Sequence, residues 1–95
     1  MKKDIPTIKK KALPLLQEAG VVHSELFGSA GRGEMTNTSD IDFLVEFKEN
    51  KTLLDLVGLK EKLETALQSP VDLVTYNSIS PLIKQRIQKD RIRIL

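Results

Sequence analysis

The sequence has no cysteine, no tryptophan, one tyrosine and one histidine among its 95 residues. The missing cysteines exclude disulfides and thiolate metal sites. With His23 as the lone imidazole, a His-rich metal site is excluded too. A bound metal would need oxygen donors, which favours hard cations such as Mg²⁺. No apolar run approaches the ~20 residues of a membrane span, and the N-terminus has no signal-peptide core. A cytoplasmic location with no membrane association is therefore expected. Net charge is also slight, +2 at neutral pH, too little to argue for nucleic acid as a direct partner. Its distribution is uneven. Residues 1–47 carry six Lys/Arg and seven Asp/Glu, net −1, and residues 48–95 carry nine and six, net +3. Much of that excess falls at Lys84, Arg86, Lys89, Arg91 and Arg93. There is no internal repeat and no low-complexity segment.

What is present is the material of a small globular fold, 40% hydrophobic and 29% charged. The length suits one domain spanning 1–95, with one core and little room for a second. Asp4-Ile5-Pro6 reads as a helix start. Ile8, Ala12, Leu15, Leu16 and Ala19 then recur at helical spacing. Pro14 inside that pattern predicts a kink or a split, and Gly20 a C-cap. Val21 to Phe27 reads as a strand ending at Gly28-Ser29. Ala30 to Gly33 suggests a short helical turn. Ile41 to Phe47 is the clearest strand, with Ile41, Phe43, Val45 and Phe47 on one face and Asp42, Leu44 and Glu46 on the other. Thr52 to Asp55 resembles a capping box with Asp in place of Glu. Leu56, Leu59, Leu63, Ala66 and Leu67 continue it as a helical stripe. Val71 to Tyr76 is a third strand. Ser80-Pro81 opens a further helix, and Ile92 and Ile94 alternate with Arg91 and Arg93 as a short edge strand. The expected fold is α+β, a small mixed sheet of three to four strands with helices packed on it.

Three acids stand out. Asp40 and Asp42 lie two apart at the start of a strand, so their side chains share a face with Cα atoms ~6.5–7 Å apart. Carboxylates so placed repel unless a cation lies between them. An Asp-x-Asp alone also reads as a solvated pair. Asp72 lies in the apolar run Val71-Asp72-Leu73-Val74, where a carboxylate needs a partner. If this strand neighbours 41–47, Asp72 completes a triad able to hold two divalent cations and to accept a proton from an attacking hydroxyl. Taken alone, it reads equally as a sheet-edge acid or one paired to lysine. Gly28-Ser29 supplies a complement. Glycine allows close backbone approach, and unpaired N–H groups at a turn leading into helix bind anions. The Ser29 hydroxyl can donate to a phosphate oxygen, and Arg32 can reach the same anion. His23 and Tyr76 read as packing residues.

The phosphate-type turn, eleven residues from Ser29 to Asp40, Asp-x-Asp on a strand and a lone Asp on a later strand together resemble the nucleotidyltransferase superfamily related to DNA polymerase beta. The wording Gly28-Ser29-x-x-Arg32-Gly33-Glu34 followed by Ser39-Asp40-Ile41-Asp42 is similar to its minimal nucleotidyltransferases, the MNT partners of HEPN toxins. The resemblance covers residues 20–76. It implies that Gly28, Ser29 and Arg32 bind nucleotide phosphates. It also implies that Asp40, Asp42 and Asp72 hold two Mg²⁺ ions, with Mn²⁺ as an alternative. The implied reaction is transfer of AMP from ATP to a hydroxyl, a tyrosine of the HEPN toxin partner, which silences the toxin. Family members often have an aromatic residue and Ala between the Ser and Arg. Here Ala30-Gly31 stands there, which loosens the turn but removes no catalytic group.

Chain length separates the readings. About twenty residues follow Asp72, too few to enclose a second large substrate, so a macromolecular acceptor that brings its own surface fits better. Two alternatives stay open: a non-catalytic antitoxin that binds by surface contact, and a catalytic subunit completed by a separate substrate-binding chain.

Overall fold

The computed structural model describes residues 4–28, 40–49, 51–76, 81 and 91–95. The elements run α1 (Ile5–Glu18), β1 (Val21–Phe27), β2 (Ile41–Phe47), α2 (Leu53–Leu67), β3 (Val71–Thr75) and β4 (Ile92–Arg93). The strands form one sheet in the order β3-β2-β1-β4. β1 is antiparallel to β2 and to β4, whereas β2 and β3 are parallel. That mixed pattern follows from the connections, because parallel neighbours need a long crossover and α2 provides it. The expected turn at 30–33 and the segment following Pro81 lie outside the described residues.

Both helices pack on one face of the sheet. Ile8, Ala12 and Leu16 of α1 and Leu59, Leu63 and Leu67 of α2 recur at four-residue spacing, so each set forms one stripe. They meet Leu26, Ile41, Phe43, Val45 and Val71 in a single core. The opposite sheet face has a smaller cluster of Phe27, Leu44 and Val74, with Tyr76 packed against it. β2 is thus covered on both sides from Ile41 to Val45. The alternation expected from its sequence sorts its side chains between the two clusters.

Local chemistry sets the helix ends. Asp4 caps α1, its Oδ1 accepting from the Thr7 N–H at 2.8 Å. Thr52 caps α2 by accepting from the Asp55 N–H, while Asp55 accepts from the Thr52 N–H at 2.9 Å. This is the expected capping box, with Asp substituting for Glu. The hydrogen bonds from Thr52 hold the Asp55 carboxyl below its ordinary pKa. Pro14 does not split α1, which runs unbroken through it. The ring removes one N–H, whose partner would be the carbonyl of Lys10. Lys10 and Pro14 are both exposed, so this break in the hydrogen-bond ladder lies on the solvent side of the helix. The C-cap of α1 is Ala19 rather than Gly20. Gly20 follows in the left-handed region at φ 87°, where a side chain would be strained, and its carbonyl accepts from the Lys48 N–H at 2.9 Å.

The C-terminal residues are tied to β1 through Ser24. Its carbonyl accepts from the N–H groups of Ile94 and Leu95, and its own N–H donates to the Leu95 carbonyl. The Ser24 hydroxyl, fully buried, donates to the Leu44 carbonyl at 3.0 Å. Leu63 is fully buried between helix and sheet. Leu63→Ala is expected to lower unfolding free energy by about 2–5 kcal/mol, read from urea denaturation, through lost transfer energy and the cavity left behind.

Candidate active site

Three strand ends meet along one edge of the sheet. The register pairs Phe27 of β1 with Asp42 of β2, and Asp42 with Asp72 of β3. Paired residues on neighbouring strands have side chains on the same face and backbones ~4.8 Å apart. Asp42 and Asp72 therefore stand side by side, on the face away from the helices. The end of β1 lies next to them and leads into Gly28. That glycine is buried and has φ 67°, a conformation that L side chains rarely adopt. The turn at the end of β1 thus needs its glycine for a backbone reason.

The two bonds at the start of the parallel pair fix this alignment. The Ile41 N–H donates to the Pro70 carbonyl at 3.0 Å. The Val71 N–H donates to Glu64 Oε2 of α2 at 3.1 Å. Both strands are held one residue before their aspartates. A slip of one residue would turn either acid into the helix-packed core.

The acids differ in exposure. Asp42 is 6% exposed, while Asp40 and Asp72 are exposed. Of the two readings the sequence left for Asp72, an acid in a core-like run and a sheet-edge acid, its position is the second. β3 ends the described sheet, so Asp72 at its start meets solvent, while β2 is flanked by a strand on each side. Asp40 precedes β2 and sits two residues from Asp42. Among the described residues, no three acidic or imidazole side chains converge as a ligating cluster. The structure thus brings Asp42 and Asp72 into register and leaves Asp40 at the mouth of the strand. The donors are all carboxylate oxygens, a set that suits a hard divalent cation. Ser29 and Arg32 lie outside the described residues.

The nucleotidyltransferase domain family matches residues 8–94. The chain belongs to that family. A Methanocaldococcus jannaschii protein, MJ0435, provisionally named a protein adenylyltransferase, is 51% identical over 97% of this chain and 99% of its own. The protein adenylyltransferase MntA of Thermococcus cleftensis is 37% identical over 95% of this chain and 89% of its own. Among solved structures, a toxin–antitoxin complex with AMP-PNP contains a chain with TM-score 0.80 and 29% identity, matched over 92% of this chain and 72% of that one. A second complex, of a tri-AMPylated Shewanella oneidensis HEPN toxin with an MNT antitoxin, gives TM-score 0.74 and 26% identity over 95% and 71%.

This nucleotidyltransferase has a second polar group on the same sheet face, which the sequence reading missed. Glu25 of β1 accepts a hydrogen bond from the Tyr76 hydroxyl at 2.7 Å. Arg91 Nη1 lies 3.6 Å from the same carboxylate oxygen, and His23 Nε2 lies 3.7 Å from it. The rings of His23 and Tyr76 meet edge-on, with centroids 5.6 Å apart. Tyr76 follows β3 and Arg91 precedes β4, so Glu25 joins the two outer strands across β1 and β2. The signal available in the sequence was alternation: His23, Glu25 and Phe27 share the face of Asp42.

Burial raises the Tyr76 pKa, and the hydrogen bond to Glu25 and its negative charge add to the shift. A group whose folded pKa is raised contributes stability that is complete below its unfolded value, about 10 for tyrosine, and is lost as pH rises above it. Stability should therefore fall from about pH 10 upward. Tyr76→Phe should flatten that fall relative to wild type, measured by urea denaturation across the alkaline range. Parallel curves for the two proteins would remove Tyr76 from the pH response.

Proposed function

We propose that this chain transfers AMP from ATP to a hydroxyl, a tyrosine, of a partner HEPN toxin, and so acts as its antitoxin. The observation that carries the reading is the register pairing of Asp42 with Asp72, beside the glycine turn that ends β1. A nucleoside triphosphate and an acceptor hydroxyl need an anion-binding turn and carboxylates side by side; the paired acids and the left-handed glycine that opens the turn support that reading. Relatives named as protein adenylyltransferases, and neighbours solved as toxin–antitoxin complexes, support the same reaction and the same kind of partner.

The roles follow from chemistry. Gly28, Ser29 and Arg32 hold the phosphates, the glycine by letting backbone approach the anion. Asp42 and Asp72, with Asp40, are the residues that would hold Mg²⁺, as two ions in this reading. When bound, the metal neutralises phosphate charge and lowers the pKa of the attacking hydroxyl. Asp72, the exposed acid at the sheet edge, accepts the proton of that hydroxyl. The hydroxyl oxygen forms a bond to the α-phosphorus, the bond from that phosphorus to the β-phosphate bridge breaks, and pyrophosphate leaves. The exposed position of Asp72 suits an acceptor presented from outside by another protein.

The test is transfer of label from α-labelled ATP, with Mg²⁺, to a HEPN toxin that this chain binds. Wild type is expected to label it and to relieve its toxicity, whereas Asp42→Ala does neither. Asp42→Asn should keep the fold, or steady it slightly, because it removes one of two adjacent carboxylates. An Asp42→Ala protein that relieves toxicity as well as wild type would replace catalysis with simple binding.

A further inference from the structure

The start of α2 has an apolar surface that the fold does not use. Leu53, Leu54 and Val57 are 76%, 82% and 43% exposed. Large apolar side chains in contiguous exposure mark interaction surfaces. Beside Leu54 runs a groove of ≈ 330 Å³ between the end of α1, the end of β2 and α2. Gly58 forms part of its floor, one helical turn from Leu54. A side chain at Gly58 would meet nothing within 4 Å, so packing within this chain does not demand a glycine there. Glycine inside a helix is less favourable than alanine. The result is a protruding leucine next to an open notch on one helix.

We infer that this surface pairs two copies of the chain about a two-fold axis, with Leu54 of each copy seated over Gly58 of the other. Three features select a second copy. First, knob and notch lie on the same patch, the arrangement an isologous interface requires. Second, the groove's charged rim is balanced, with Glu18 and Asp55 against Lys51 and Lys62. A two-fold can set the acids of one copy against the bases of the other, whereas a partner of one dominant charge would gain nothing from the balance. Third, the patch lies away from the acids. It includes Phe47 at the far end of β2 from Asp42, ~16 Å along the strand, and it belongs to the helix layer, whereas Asp42 and Asp72 face the opposite side of the sheet. A copy bound there leaves both acid edges open to an acceptor. The pairing does not depend on the proposed reaction, and its test does not use activity.

Sedimentation velocity on the full chain, at concentrations up to the high micromolar range, tests it. Wild type should sediment at twice the 10.7 kDa chain mass. Leu54→Glu should weaken association by about tenfold or more, and Gly58→Leu should do the same by filling the notch. Val22→Glu, an exposed apolar residue of β1 outside the patch, should leave it unchanged. Circular dichroism melts establish that each variant is folded. A wild type that stays at the single-chain mass throughout would overturn the inference, and so would a folded Leu54→Glu that associates like wild type. Loss of toxin binding in Leu54→Glu, with wild type a monomer, would assign the patch to the toxin instead.

Discussion

The parallel pairing of β2 with β3 is the constraint on which the site depends. It begins at one backbone bond, from the Ile41 N–H to the Pro70 carbonyl, and is reinforced by Glu64 of α2 reaching the Val71 N–H. α2 can make that second contact because its own buried stripe of Leu59, Leu63 and Leu67 fixes it against the sheet. Core packing, helix position and strand register thus form one chain of cause. Its product is two carboxylates opposite each other on neighbouring strands, an arrangement that repulsion disfavours unless a cation compensates. The surrounding core is what can hold such a pair in place.

Much of the fold was legible in the sequence where local physics decides it. β1 and β2 have the bounds read from their apolar runs, and the Thr52–Asp55 box opens α2 as its spacing predicted. The alternation of Ile41 to Phe47 assigned its side chains to the correct faces because the sheet is covered on both sides there. Other features depend on contacts between distant residues and left no local mark. The run Val71-Asp72-Leu73-Val74 left Asp72 open between an acid needing a partner and a sheet-edge acid, and the strand order decides for the edge. Glu25 and Tyr76 are 51 residues apart, and nothing near either one announces the other. Of the two outcomes expected at Pro14, a kink or a split, the split does not occur, because packing of the Ile8, Ala12 and Leu16 stripe holds α1 together across it. Within the candidate site, the sequence pattern singled out Asp40, Asp42 and Asp72, but only the register placed two of them side by side. Asp40 stays apart from any ligating cluster among the described residues.

The molecule divides its surfaces by sheet face and strand direction. The face carrying Asp42, Asp72 and the Glu25 network sets those polar groups around the small apolar cluster of Phe27, Leu44 and Val74. The other face is occupied by α1 and α2 and is dry except at the start of α2. Structural neighbours of the chain were solved as complexes with another protein. The Glu25 carboxylate, by joining Tyr76 and Arg91 across two strands, ties the outer strands of the sheet together. It connects the strand that carries Asp72 to the end of the chain.

The central claim is that Asp42 and Asp72 act together as cation ligands. Binding of Mn²⁺ in the presence of a non-hydrolysable ATP analogue, followed by electron paramagnetic resonance, tests it without reference to any acceptor. The account predicts saturable binding by the wild-type chain and a severe loss in Asp42→Asn and in Asp72→Asn, with both variants folded. If the double variant bound Mn²⁺ with wild-type affinity, the paired acids would not be the metal site.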